Sequence, residues 1–284
     1  HCDSFLNIIN RPEFFKNISG NEIMRVFRDS KGNMWVGTEI GLYRARAAAN
    51  SKSVTEIRFE RVQLTINKQL ANYQVRSICE STDGKILIGT LGGLYYVDMT
   101  GNTLSTLYPF SELAFPTVIA LHQQKNGILW IGTLENGLYK LQNIQGKVQV
   151  THQNNISFIR VTAITEDKKG NIWVASRQGL AKIAKDSAIT YYKADNTSEN
   201  AISDERLNCL FIGNTNILWI GSEYKGLNWL NLSRKKFHTI KNIGSTQNAL
   251  STSFVTAIHS SQPNSVFVAT DGGGIDKLSF DPLS

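Results

Sequence analysis

Short apolar runs alternate with polar, glycine-bearing turns along the chain, and no stretch of useful length carries the 3.6-residue period of an amphipathic helix. In one such unit, the alternating Val161-Thr162-Ala163-Ile164 leads through a turn at Lys169-Gly170-Asn171 into Ile172-Trp173-Val174-Ala175. The first pattern predicts a strand with one buried face, and the second, apolar nearly throughout, predicts a strand buried on both faces. Gly and Asn suit the turn because they accept positive φ. A small residue pair closes the second strand, as in Gly37-Thr38 and Gly132-Thr133, and a Gly-Leu pair such as Gly179-Leu180 opens a third.

This unit occurs six times, with repeat cores at 23–44, 75–98, 118–141, 161–183, 207–230 and 255–278. The large residue of the central strand sets the register: Trp35, Leu87, Trp130, Trp173, Trp219 and Phe267, at a mean spacing of roughly 46 residues. Such a period fits a four-stranded blade and exceeds that of ankyrin or tetratricopeptide repeats. Fourth, more polar strands are expected at Ile57–Glu60, Val148–Val150, Ile189–Tyr192 and Lys236–Ile240. The predicted fold is therefore all-β: a single β-propeller domain, 1–284, of four-stranded antiparallel blades. Six blades are counted, and seven only if a unit lies outside this chain. Residues 13–18 are expected to form a strand that completes the last blade and closes the ring.

Composition narrows the class of protein. Hydrophobic content of 41% with 19% charged residues excludes a disordered chain and fits a packed core. No apolar run approaches the ~18–20 residues of a membrane span, so none is expected here. The opening His1-Cys2-Asp3-Ser4 lacks the features of a signal peptide. The chain is then either cytosolic or the mature or trimmed form of an exported protein. The three cysteines show no C-x-x-C spacing; Cys79 and Cys209 sit in apolar runs and read as core. The formal charge of +7 is spread without any run of five basic residues, so nucleic-acid binding is not expected.

The stretch Ile164–Leu180, with its Glu166-Asp167, Gly170-Asn171-Ile172-Trp173-Val174 and Gly179-Leu180, resembles the two-component regulator propeller repeat. So does Leu250-Ser251 with Val255, Ala257-Ile258 and Ala269-Thr270-Asp271-Gly272-Gly273-Gly274. The resemblance covers all six copies. It implies a periplasmic sensor region of a Bacteroides-type hybrid two-component system that recognises a glycan breakdown product. It further implies, as partners, the other domains of a parent sensor kinase, and a homodimer formed through that parent.

Local catalytic signatures are missing from the sequence. The five histidines have no metal-ligand spacing, the Gly-rich pieces precede no helix and so are not phosphate loops, and no G-x-S-x-G elbow occurs. No metal, cofactor or enzymatic activity is expected. Glu166-Asp167 is read as the polar start of a hairpin, because the equivalent positions hold Arg28-Asp29 and Gln123-Gln124. The four repeat tryptophans are read as packing between blades, and Trp229 likewise.

Ligands of propellers commonly bind at one end of the central channel, where the loops before the first strands meet those joining second and third strands. The candidate contacts there are Tyr73, Gln74, Arg76, Arg160, Arg206 and Phe254 before first strands. Glu135, Arg177, Tyr224, Lys225 and Asp271 come from the second-to-third connections, which also hold Glu39, Asn136, Gln178 and Glu223. Guanidinium forks beside aromatic faces and amides suit an oligosaccharide, including one bearing carboxylate or sulfate groups. Two other readings stay open. One is a propeller enzyme, a lyase or glycan hydrolase, with catalytic groups from several blades; the other is a protein–protein interaction scaffold.

Overall fold

In a computed structural model, the residues described are 18, 22–46, 58–63, 65–66, 69–70, 74–98, 103–106, 117–144, 147–195, 198, 201–213, 216–233, 236–240, 242, 249–262 and 265–279. They form six sheets in chain order, one for each repeat, which is the blade arrangement of a β-propeller. Blade one is built of Ile23–Arg28, Met34–Thr38, Gly41–Ala45 and Glu60–Arg61. Blades three, four and five are also antiparallel meanders of four strands, and blade six has three: Val255–Gln262, Ser265–Thr270 and Gly274–Ser279.

Two details of the expected blades are corrected. The fourth strand of blade one is Glu60–Arg61, not a strand ending at Glu60, because its pairing is with Tyr43 and Arg44. Blade two is a six-stranded sheet, not a four-stranded one. Its outer strand Thr103–Thr106 also pairs, in parallel, with Thr65–Ile66, which itself forms a small hairpin with Gln69–Leu70. The proposed closing strand at 13–18 lies outside the described residues apart from Ile18, which packs near Val36, Tyr43, Ala45 and Phe59.

The chain divides into two compact units. One comprises His1–Thr133 and Tyr139–Thr151, the other Leu134–Leu138 and His152–Ser284. In the first unit, Trp35, Leu42, Val75, Ile78, Ile88 and Tyr95 fill the space between blades one and two. Leu87, Leu94, Val118, Leu121, Leu129 and Ile131 do the same for blades two and three. In the second unit, Trp173, Leu180, Leu207, Leu218 and Phe237 join blades four and five, and Trp219, Leu227, Val255, Val266 and Leu278 join five and six. The repeat tryptophans Trp35, Trp130, Trp173 and Trp219 are thus core, as are Cys79 and Cys209.

Blade contact demands a small residue at the end of the second strand. A Cβ on Gly37 would stand 2.8 Å from Val75 Cγ1, and one on Gly221 would stand 2.5 Å from Val255 Cγ1. The Gly of the repeat is there to let the next blade's first strand approach. Val75 and Val118 in the first unit and Leu207 and Val255 in the second are accordingly buried.

Candidate functional site

The loops that carry most of the candidate residues are held by the small hydroxyl residue ending each second strand. Ser176 Oγ donates to the Gly179 carbonyl at 3.0 Å and accepts the Gln178 amide at 2.9 Å. Ser222 Oγ does the same with Gly226 O at 2.8 Å and Lys225 N at 3.1 Å. Thr38 and Thr90 repeat the arrangement in blades one and two. These hydroxyl-stabilised turns supply hydrogen bonds to a tight connection that has no ladder partner. Gly226, at φ 82°, takes a backbone conformation that side-chain-bearing residues rarely adopt.

The loops before the first strands are tied to the same turns. Within the second unit, the Glu223 amide donates to Arg206 O at 2.9 Å and the Asp271 amide to Phe254 O at 2.9 Å. Asp204 links the two kinds of loop. Its Oδ1 accepts the Arg206 amide and its Oδ2 the Tyr224 amide, both at 3.1 Å.

On this frame the structure brings together Arg177, Arg206, Tyr224 and Phe254. Arg177 Nη2 lies 3.3 Å from each carboxylate oxygen of Glu223, with hydrogen-bond geometry to Oε1. The Tyr224 hydroxyl donates to the same Oε1 at 3.1 Å, and Arg206 Nη1 donates to that hydroxyl at 3.3 Å. The Arg206 guanidinium also stands over the Tyr224 ring, 5.4 Å from its centroid, which adds a cation–π attraction. Phe254 meets the Tyr224 ring edge to face at 6.3 Å. Tyr224 remains 56% exposed despite these contacts. The cluster thus combines a buried carboxylate, two guanidinium groups and an open aromatic face.

The other candidates take different places. In the first unit Arg76 donates through Nε to Gln74 Oε1 at 3.0 Å, and Tyr73 lies outside the described residues. In the second unit Glu135 is exposed, Arg160 is half-buried directly before blade four, and Asp271 is exposed, its carbonyl taking a hydrogen bond from Thr252 Oγ1. Lys225 is fixed through its backbone amide to Ser222. Gln178 Oε1 accepts the Ile159 amide at 2.7 Å, and Phe158 is buried against Tyr191. Asp204 was missed by sequence reasoning; its signal was an Asp two residues before Arg206, the spacing of a side chain that caps its own turn.

Asp167 is occupied structurally. Its carboxylate accepts Trp173 Nε1 at 3.0 Å, Asn171 Nδ2 at 2.8 Å and the Asn171 amide at 2.9 Å, bracing the first hairpin of blade four. Burial alone raises a carboxyl's pKa, but these donors outweigh it and hold Asp167 below the ordinary value of 3.8. Asp29 is held down by the same contest, between burial and its bonds to Trp35 and Asn33.

Blades of this architecture, with polar loops gathered at the ends of the first and second strands, define a propeller whose loop end is the candidate ligand site. The family model described as two component regulator propeller matches residues 17–39 and 155–178. No curated protein matches the sequence.

Among solved structures, the chain resembles the extracellular domain of the one-component system BT4673 from B. thetaiotaomicron. That match has 20% identity and a TM-score of 0.68, over 94% of this chain and 35% of the other. It also resembles the extracellular domain of the hybrid two-component system BT3049 from B. thetaiotaomicron, at 22% identity and a TM-score of 0.65, over 93% of this chain and 40% of that one. Virginiamycin B lyase from Staphylococcus aureus matches at 13% identity and a TM-score of 0.58, over 90% and 83% of the two chains. These likenesses establish the propeller fold. The chain spans 35–40% of the length of these two extracellular domains.

Proposed function

We propose that this chain is an extracytoplasmic ligand-sensing propeller of a two-component type of signalling protein, and that it acts by binding a glycan-derived oligosaccharide without turning it over. The observation that carries the reading is the second unit's loop cluster: a carboxylate, two guanidinium groups and a half-open tyrosine ring held by hydroxyl-stabilised turns. An exposed aromatic face with hydrogen-bonding groups around it suits a sugar ring, whose C–H surface packs on the ring while its hydroxyls find donors and acceptors. The regulator-propeller match supports the signalling role, and the extracellular domains that share the fold support the location. Passing the signal on falls to other domains of a parent protein.

A thermal-shift screen against neutral and acidic oligosaccharides, with each mixture then checked for cleavage or elimination products, tests this reading. A sensor's ligand at ~100 times its Kd adds about 2.7 kcal/mol to stability, which raises Tm by several degrees while the sugar is recovered intact. Product formation moves the chain to the enzyme class, and the lack of a shift with any sugar removes direct glycan sensing.

A further inference from the structure

The following rests on the sugar-sensing reading and deepens it. We propose that Arg177 and Arg206 form an oxyanion subsite for an acidic sugar residue, carboxylated or sulfated, and that the buried Glu223 is the residue that positions both guanidinium groups.

The Glu223 side chain is only 8% exposed, yet its Oε1 is the meeting point of the cluster: it receives Arg177 directly at 3.3 Å and Arg206 through the Tyr224 hydroxyl. A buried carboxylate holding two cations from different blades is a costly arrangement that demands good geometry in return. The geometry with Arg177 is nevertheless not the one that would neutralise it best. A guanidinium closes on a dedicated carboxylate through two parallel N–H···O bonds, whereas Arg177 presents one nitrogen to both oxygens. Glu223 Oε2 is buried and receives no hydrogen bond. Arg177 is thereby anchored through one corner, and its remaining N–H groups are not spent on Glu223.

Arg206 is anchored in a comparable way. One nitrogen is used on the Tyr224 hydroxyl and the plane is placed over the Tyr224 ring. Asp204, two residues before it, has its two oxygens on the backbone amides of Arg206 and Tyr224. Among the described residues, Arg206 forms no ion pair with a carboxylate, and Arg177 forms none besides that with Glu223. Each guanidinium carries five N–H donors in a planar fork that matches carboxylate and sulfate oxygens. Two such forks, fixed around a single carboxylate oxygen, are prepared for an oxyanion, with Tyr224 and Phe254 alongside to receive the sugar ring.

Calorimetric titration of the 284-residue chain with trigalacturonate, a chondroitin 4-sulfate oligosaccharide and neutral xylotriose tests the proposal. One of the two anionic probes is expected to bind at least about tenfold more tightly than xylotriose, the scale of a charge-assisted hydrogen bond, and which one binds assigns the carboxylate or the sulfate. Arg206→Ala should abolish that preference. Arg177→Lys, which keeps the charge beside Glu223 but not the fork, should weaken it severalfold. Glu223→Gln and Tyr224→Phe should lower affinity for the anionic probe by a larger factor than affinity for xylotriose, a selective loss that general destabilisation does not produce. Tyr224 is exposed, so its variant stays informative if Glu223→Gln fails to fold. Equal affinity for all three probes overturns the subsite, as does an anionic preference that survives Arg206→Ala; either leaves the sensing reading intact. The lack of binding to these three probes after a positive thermal-shift screen also overturns the subsite alone, whereas a negative screen overturns the reading beneath it.

Discussion

The residues that read most easily as chemistry turn out to divide by what their neighbours offer them. Asp167 sits beside Glu166 and invites a catalytic reading, but its donors are an indole N–H and an asparagine in its own hairpin. Asp29 with Trp35, and Gln124 with Trp130, repeat the brace at the same six-residue spacing. Replacing Asp167 by Ala leaves the Trp173 N–H without its partner and should cost about 1–3 kcal/mol, measurable by denaturant titration. The sign of the pH effect follows from the depressed carboxyl values. The unfolded chain protonates these groups at higher pH than the folded one, so their stabilisation is complete above the ordinary carboxyl range and is lost as pH falls through the lower folded values. Acid titration of the wild type should therefore show a steeper fall in stability below about pH 4 than that of Asp167→Ala. Cys79 makes a simpler case: burial pushes its thiol up to about 12, so a thiol reagent at pH 8 should label it only after unfolding.

At the scale of the strand and its turns, the Gly-Thr pair was plain in the sequence while its purpose was not. The glycine admits the neighbouring blade and the hydroxyl residue pins the loop that follows. Gly221→Ala pushes a methyl group into Val255 and Cys209 and should cost about 1–3 kcal/mol by overpacking, with Tm as the readout. One feature of the first strands was not legible at all. In every blade the pairing between first and second strands shifts by one residue near its start, between Ile23/Arg25, Val75/Ser77, Val118/Ala120, Val161/Ala163, Leu207/Cys209 and Val255/Ala257. The skipped residue varies in type, from Met24 and Ile119 to Arg76, Thr162 and Asn208, so no composition signal marks it. Its use is clear in the second unit, where Thr162 Oγ1 bonds the Leu207 carbonyl at 2.6 Å and Asn208 Nδ2 bonds the Val255 carbonyl at 3.2 Å, each reaching the next blade. A bulge frees a side chain from the ladder for such a contact. Arg76 occupies the same position in blade two, where its Nε bonds the Gln74 side chain.

For the molecule as a whole, six blades could be counted from the sequence because each inner hairpin must bury two strands, and burial leaves an apolar imprint. The outer strands leave little imprint: Lys147–His152 and Ile189–Tyr192 are largely exposed, and the outer strand of blade one was misplaced for that reason. The site was legible as a set of loops and not as a constellation, since spacing along the chain does not say which arginine meets which acid. Glu223 stood among several polar loop residues until its burial and its three contacts singled it out. The central claim is that ligand is received by this cluster, and hydrogen exchange of the backbone amides measures it most directly. With a sugar that raises Tm, exchange should slow at Arg177, at 204–206, at 223–225 and at Phe254, while the outer strands at 147–152 and 189–192 stay unchanged. Protection confined to those outer strands, with none in the loop cluster, would contradict the account and favour a surface that docks a partner.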